Sequence, residues 1–249
     1  MKALVTGASS GIGRDIAREL ATRGIDLVLV ARRTDRLEEL AAELAVETVI
    51  FSCDLSKEEE CYALFEKCRP LGVDILVNNA GFGLFGTFAD NDMLRELKML
   101  NVNVRALQIL MKLFLREFKE KNAGYILNIA SSAAFQPGPL LAVYYATKAY
   151  VLRLSEAVYE ELRREKSSVR ISVLCPGPVR TEFDTTANVR FSINGLSSEF
   201  VAQYAVKHMF RKKLIIVPGF LMKSAHFFGR FLPDKLMLRL TYHIQKRKT

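Results

Sequence analysis

The sequence has no tryptophan, only three histidines, and four cysteines without a CxxC pair. His208, His226 and His243 fall late and scattered, and Cys53, Cys61, Cys68 and Cys175 are too widely spaced for a zinc or iron–sulfur centre, so no metal is expected. No uninterrupted apolar run approaches the roughly 20 residues that span a bilayer. The start, MKALVTGASSGIG, breaks at a glycine-rich turn before a signal-peptide core develops. These absences point to a soluble protein in a reducing, cytoplasmic setting. There is also no Pro/Gly/Ser-rich linker, low-complexity run or repeat. A single domain of 249 residues with 50% apolar composition is therefore expected, large enough to cover both faces of a sheet.

Acidic residues are scarce in one region only. From Lys207 to Thr249 there are eleven Lys/Arg against Asp234, a charge of +10, while residues 1–206 carry −1. Such asymmetry is one mark of a nucleic-acid face. No recognised nucleic-acid module surrounds it, and no nucleic-acid partner is expected.

What the chain does contain is a regular alternation. Residues 2–6, 25–31, 46–51, 73–79, 125–130 and 169–175 read as apolar strands, and helical periodicity occupies roughly 12–23, 34–44, 57–68, 91–119 and 144–165. Near-continuous apolar strands are those buried on both faces. The pattern predicts a doubly wound, mostly parallel α/β sheet of seven strands with helices on both sides, the seventh strand at 214–217. Residues 180–197 lack periodicity and read as a loop before a helix near 197–210.

The first strand runs into Gly7, Gly11 and Gly13 at the start of a helix. Glycine permits a tight turn and close approach to a pyrophosphate, and the helix's free N–H groups attract its charge. A dinucleotide is expected there. The second strand ends Ala31-Arg32-Arg33, where an NAD site usually places an acid. Guanidinium groups suit a 2′-phosphate instead, which predicts NADP(H), with Arg32 the first choice and Arg33 or Arg14 as helpers. Asp54 can accept from an adenine amino group or cap the next helix. Asn78-Asn79-Ala80-Gly81 ends the fourth strand, where its amides can position a cofactor or hold neighbouring backbones.

AVYYATKAYVL, residues 142–152, places Tyr144 and Tyr145 four and three residues before Lys148. Either tyrosine reaches the lysine's face of a helix. A cationic lysine stabilises a phenolate, so such a tyrosine can exchange a proton with a carbonyl or alcohol oxygen. Ser131 and Ser132 follow the fifth strand and can hold the same oxygen.

Thr6-Gly7-Ala8-Ser9-Ser10-Gly11-Ile12-Gly13, Asn78-Asn79-Ala80-Gly81, Ser131, Tyr144-Tyr145-Ala146-Thr147-Lys148 and Pro176-Gly177-Pro178-Val179-Arg180-Thr181 resemble, in order, the signatures of the classical short-chain dehydrogenase/reductase (SDR) family. The resemblance covers about residues 1–181 and is that of an NADP(H)-preferring, bacterial-type member. It implies a Rossmann-type fold and reversible hydride transfer between a nicotinamide and a carbonyl or secondary alcohol. The family's Tyr-x-x-x-Lys motif falls on Tyr144 and Lys148, with the tyrosine as general acid/base. Its serine, thirteen residues before the tyrosine, falls on Ser131, with Ser132 as the rival. Its relay asparagine falls on Asn103, 41 residues before the tyrosine, with Asn101 as the rival. The implied cofactor set is Gly7, Ser9, Ser10, Gly11, Ile12, Gly13, Arg32, Arg33, Asp54, Leu55, Asn79, Ala80, Gly81, Tyr144, Lys148, Pro176, Gly177, Val179 and Thr181.

The resemblance further implies a substrate lid over 182–210, with Phe183, Phe191 and Leu196 as candidate lining or anchoring residues, and a homodimer or homotetramer. The expected activity is reduction of an apolar ketone, or of a 3-oxoacyl or steroid-like carbonyl. A non-catalytic NADP(H) sensor and an extended-type epimerase or dehydratase are the alternatives. Residues 218–249 depart from the small members of the family. They read as two amphipathic helices, with Leu236, Leu240 and Ile244 on one face, whose apolar sides pack on the domain and whose cations are solvated. Contact with another subunit or the pocket comes second, and peripheral contact with an anionic membrane third.

Overall fold

Strands that are apolar on both faces need helices on both faces, and the chain meets this need by winding twice around one sheet. The structure is a computed structural model, which describes residues 1–182, 195–229 and 231–246. The strands are β1 (Lys2–Thr6), β2 (Asp26–Ala31), β3 (Thr48–Ser52), β4 (Ile75–Asn78), β5 (Tyr125–Ile129), β6 (Arg170–Leu174), β7 (Val179–Arg180), β8 (Leu196–Ser197) and β9 (Ile215–Ile216). Seven of them form a parallel sheet in the order β3-β2-β1-β4-β5-β6-β9, and β7 pairs with β8 separately.

The helices are α1 (Gly11–Ala21), α2 (Thr34–Glu43), α3 (Glu58–Cys68), α4 (Met93–Leu100), α5 (Leu107–Glu120), α6 (Ala142–Arg164), α7 (Ser198–Phe210), α8 (Phe220–Gly229) and α9 (Asp234–Lys246). Alternate strand residues point to opposite faces. Leu4 and Leu76 therefore join one core with Phe65, Phe114 and Val151 of α3, α5 and α6. Val5 and Val77 join the other with Ile16, Leu37 and Val206 of α1, α2 and α7. Beyond β3 the chain crosses to the other side of β1, so a crevice opens between the ends of β1 and β4.

The expected long helix is continuous from Met93 to Glu120, but residues Asn101–Ala106 form a π-helical turn within it. Asp92 caps its start, accepting from the Arg95 N–H at 2.7 Å. The stretch expected as a bare loop carries β7 and β8 at its two ends. The largest departure is in α9. Leu236, Leu240 and Ile244 are exposed, and the residues α9 buries are Thr241 and Gln245. The apolar stripe of this helix does not pack on its own domain.

Candidate active site

The turn after β1 is built for backbone contact. Gly7 and Gly11 sit at φ 64° and 55°, a region that side chains disfavour. At Gly13 the reason is space, because a Cβ would lie 2.3 Å from Asn79 Nδ2 and 2.6 Å from the Gly7 oxygen. Asn79 occupies that space as a clasp. Its Nδ2 donates to the Thr6 oxygen at 2.9 Å and the Gly7 oxygen at 3.2 Å, and its N–H donates to Thr6 Oγ1 at 2.9 Å. The ends of β1 and β4 are thereby locked together. The first turn of α1 contains no acid, leaving its N-terminal N–H groups suited to an anion.

A cavity of about 590 Å³ runs from this turn across the strand ends. Gly7, Ser9, Ser10, Gly11, Ile12, Arg32, Arg33, Asp54, Leu55, Asn79, Ala80 and Gly81 line one part of it. Ser131, Tyr144, Lys148, Pro176, Gly177, Val179 and Thr181 line the rest. Gly13 and Asn103 stand behind this wall, and Arg14 is turned toward Asp15, 3.7 Å away. Arg14, expected as a helper, is not among the residues that line the cavity.

Arg32 is exposed at the cavity edge, whereas Arg33 is engaged. The Arg33 Nη2 donates to Ser9 Oγ at 3.2 Å and to Glu182 at 2.9 Å, and Arg36 holds the other Glu182 oxygen at 3.0 Å. The two guanidinium groups keep the Glu182 carboxyl below its usual range, chiefly through the Arg33 hydrogen bond against the opposing effect of burial. Asp54 accepts from the Ser56 N–H at 3.1 Å and Oγ at 2.8 Å, closing a local turn. Helix α3 begins only at Glu58, so Asp54 is not its cap.

The chemistry-bearing groups meet at the other part of the cavity. After β5, Ser131 is extended, and its Oγ accepts from the Ala133 N–H at 3.1 Å at the head of a 3₁₀ turn, Ser132–Phe135. The Ser131 hydroxyl also interacts with the Tyr144 phenol, and both line the cavity. Ser132 is tied by its backbone N–H to the Pro176 oxygen, 2.7 Å away. The structure therefore brings Ser131 to Tyr144, while Ser132 also lines the cavity and its backbone fastens two strand-end loops.

Tyr144 is buried, and burial drives its phenol above the ordinary value while the Ser131 hydroxyl pulls it back. Lys148 lies one turn on, its Nζ 5.8 Å from the Tyr144 ring centroid and donating to the Ile129 oxygen at 2.8 Å. Burial pulls this ammonium down to about 8, with the Cys175 thiol opposing. Tyr145 leaves α6 in another direction, and its hydroxyl receives a hydrogen bond from Gln245 of α9.

Asn103 is buried in the π-helical turn. Its Nδ2 donates to the Phe82 oxygen at 2.9 Å and Thr147 Oγ1 at 3.1 Å, and its Oδ1 accepts from the Phe82 N–H at 3.0 Å. A Cβ on Gly81 would meet that Oδ1 at 2.9 Å and Lys148 Nζ at 3.5 Å, so Asn103, Gly81 and Lys148 form one packed group. Asn101 is half-buried at the start of the same turn.

Among the lid candidates, Leu196 packs onto the α1-side core, and Phe183 and Phe191 lie outside the described residues. Thr181 closes on the glycine turn, its Cγ2 lying 3.0 Å from where a Gly11 Cβ would be. Several lining residues carried no signal in the sequence. Phe82, Arg95, Lys98 and Leu141 are brought to the cavity by loops and by the α4 face, and Arg36 is brought to Glu182 across 146 residues. Only Arg36 had a cue, since it falls one helical turn after the Arg32-Arg33 pair.

A parallel doubly wound sheet, a glycine turn on the first helix and a serine–tyrosine–lysine group at the switch-point crevice define a dinucleotide-binding oxidoreductase architecture. The family model described as short chain dehydrogenase matches residues 1–190, and the chain belongs to that family. It is 39% identical over 192 residues to dehydrogenase/reductase SDR family member 11 of Homo sapiens, covering 73% of this chain and 74% of that protein. It is also 33% identical over 246 residues to hydroxysteroid dehydrogenase-like protein 1 of Gallus gallus, covering 93% and 72%. In three dimensions it matches a short-chain dehydrogenase from Sphingobium yanoikuyae in complex with NADPH. The TM-score is 0.84 at 30% identity, over 92% of this chain and 93% of that one.

Proposed function

We propose that the protein is an NADP(H)-dependent reductase of apolar carbonyl compounds, with Tyr144 as proton donor. The observation that carries this reading is the meeting of Ser131, Tyr144 and Lys148 on the wall of one crevice, with Lys148 on the helical turn after Tyr144. The residues present fit the cofactor. Gly7, Gly11 and the acid-free start of α1 suit a pyrophosphate, and Arg32 and Arg33 suit a 2′-phosphate. When bound, NADP(H) supplies the hydride.

The chain's own residues then handle orientation and the proton. Ser131 Oγ holds the substrate oxygen beside the Tyr144 hydroxyl, which donates to it as the oxygen gains charge. Burial keeps that phenol protonated through the neutral range, as reduction requires. A phenolate forming there is stabilised by the Lys148 ammonium, whose lowered value of about 8 still leaves it mainly charged at neutral pH. Asn103 positions rather than reacts, holding Phe82 and Thr147 so that Gly81 and Lys148 keep their places.

The apolar lining supplied by Phe82, Ala133, Leu141 and Tyr145 supports a ketone or a 3-oxoacyl or steroid-like carbonyl as substrate. The hydroxysteroid name of one relative is consistent with that class. The test is a panel of ketones, 3-oxoacyl thioesters and secondary alcohols followed at the nicotinamide absorbance band with NADPH and with NADH. Turnover of apolar carbonyls with NADPH, and weaker turnover with NADH, is expected; cofactor binding without turnover on any carbonyl would leave the protein a nucleotide sensor.

A further inference from the structure

The two C-terminal helices expose what a self-packed tail would bury. In α8 no residue is buried, and Phe220, Phe228 and Phe231 just beyond it are 85%, 65% and 74% exposed. In α9, Leu236, Leu240 and Ile244 recur one turn apart and are 51%, 48% and 45% exposed. The two residues that α9 buries are polar, with Met237 half-buried one turn before them. Thr241 and Gln245 are each 1% exposed, and Thr241 Oγ1 and Gln245 Oε1 have no hydrogen-bond partner among the described residues. A helix seated on its polar residues with its leucines outward leaves an apolar surface for something else.

Charge identifies that partner. Lys207, Arg211, Lys212 and Lys213 precede β9 and lie at the end of the sheet opposite the crevice, because β9 runs parallel to its neighbours. The chain after β9 therefore emerges on the crevice side; the sequence of residues 218–249 holds seven Lys/Arg against the single acid Asp234, and Lys223, Lys235, Arg239 and Lys246 are those among the described residues. Lys235 and Arg239 are exposed and enter no ion pair among the described residues. Two copies meeting through this face would oppose two such cationic sets. An anionic bilayer surface accepts the phenylalanines and leucines and the cations together. Neither helix is long and apolar enough to cross a membrane, so this contact lies on the surface.

We propose that α8 and α9 dock the protein on an anionic lipid bilayer, with Phe220, Phe228, Phe231 and the α9 leucines in the interface and Lys235 and Arg239 at the headgroups. The same helices border the crevice. His226 packs on Phe135 with ring centroids 3.7 Å apart, Met222 fills the space beside Gly177, and Gln245 holds Tyr145. Docking thus leaves α9 between the lipid and Tyr145, with Gln245 on its inward face. The binding itself does not depend on the reaction assigned to the site.

The full-length protein is sedimented with vesicles of phosphatidylcholine alone and of phosphatidylcholine mixed with phosphatidylglycerol. Binding to the mixed vesicles, reversed by high salt, is expected. A Phe228→Ser/Phe231→Ser variant should lose it. A Lys235→Glu/Arg239→Glu variant should weaken it by on the order of tenfold or more, given about fivefold per cation near an anionic surface. Both variants change exposed side chains, and unchanged thermal melting shows that each remains folded. Equal binding to the neutral vesicles, or no binding to the mixed ones, would overturn the proposal. So would a dimer, seen by analytical ultracentrifugation without lipid, that the phenylalanine variant dissolves, since the face would then belong to a second copy.

Discussion

At the β1–β4 crevice, buried polar groups are matched; at α9, they are not. Asn79, Asn103, Thr6 and Lys148 each find backbone or side-chain partners while buried or half-buried. Thr241 Oγ1 and Gln245 Oε1 are buried without any, beneath a surface of exposed leucines. A satisfied network fixes geometry, which proton transfer needs. A helix with orphaned buried groups and an exposed apolar stripe is held less firmly and is suited to a partner. The first region carries reaction geometry, and the second adapts the protein to its surroundings.

The contrast predicts where substitutions act. Tyr144→Phe deletes the proton donor and leaves the ring, so turnover should fall by about 10²–10⁴ while the NADPH dissociation constant, measured by fluorescence titration, stays within about twofold. Arg32→Glu should weaken NADPH by about 10–100-fold and NADH far less, because only the 2′-phosphate loses a charge-assisted bond and gains a repulsion. An equal loss for both cofactors would assign Arg32 to general packing.

Lys148→Met tests the energetic side of the ordered region. With the ammonium lowered from 10.5 to about 8, the folded protein binds fewer protons than the unfolded chain between those values. Lys148 therefore makes stability rise with pH across that window, and its full penalty is present below it. Removing the charge, and with it the Ile129 hydrogen bond, should stabilise the cofactor-free protein by roughly 1–2 kcal/mol at pH 7. The gain should fade by pH 10 in denaturant titrations, while activity is lost. Tyr145→Phe probes the α9 contact. It leaves Gln245 without its partner, so a loss of about 1–2 kcal/mol with kcat within a few-fold is expected.

Much of the ordered region was legible before any coordinates. Strand and helix periods follow from burying both sheet faces, and the glycine turn follows from backbone approach; helix geometry admitted both Tyr144 and Tyr145 beside Lys148, and the family resemblance chose Tyr144. What was hidden is what depends on distant chain segments. Ser131 and Ser132 are adjacent and chemically alike, so the residues alone did not separate them; the family spacing chose Ser131, whose extended backbone brings its hydroxyl to Tyr144. The Asn79 clasp, the π-helical turn around Asn103 and the Glu182 bridge to Arg33 and Arg36 all join elements far apart in sequence. In α9 the periodicity correctly marked Leu236, Leu240 and Ile244 as one stripe, but periodicity does not say which side of a helix meets the protein.

The most direct test of the central claim is a single turnover with NADPH deuterated at nicotinamide C4, mixed with an apolar ketone that the protein accepts. The account predicts an alcohol carrying deuterium on the former carbonyl carbon, formed at similar rates by the wild-type protein and by Tyr145→Phe and about 10²–10⁴-fold more slowly by Tyr144→Phe. Label transfer at an undiminished rate in Tyr144→Phe would contradict it.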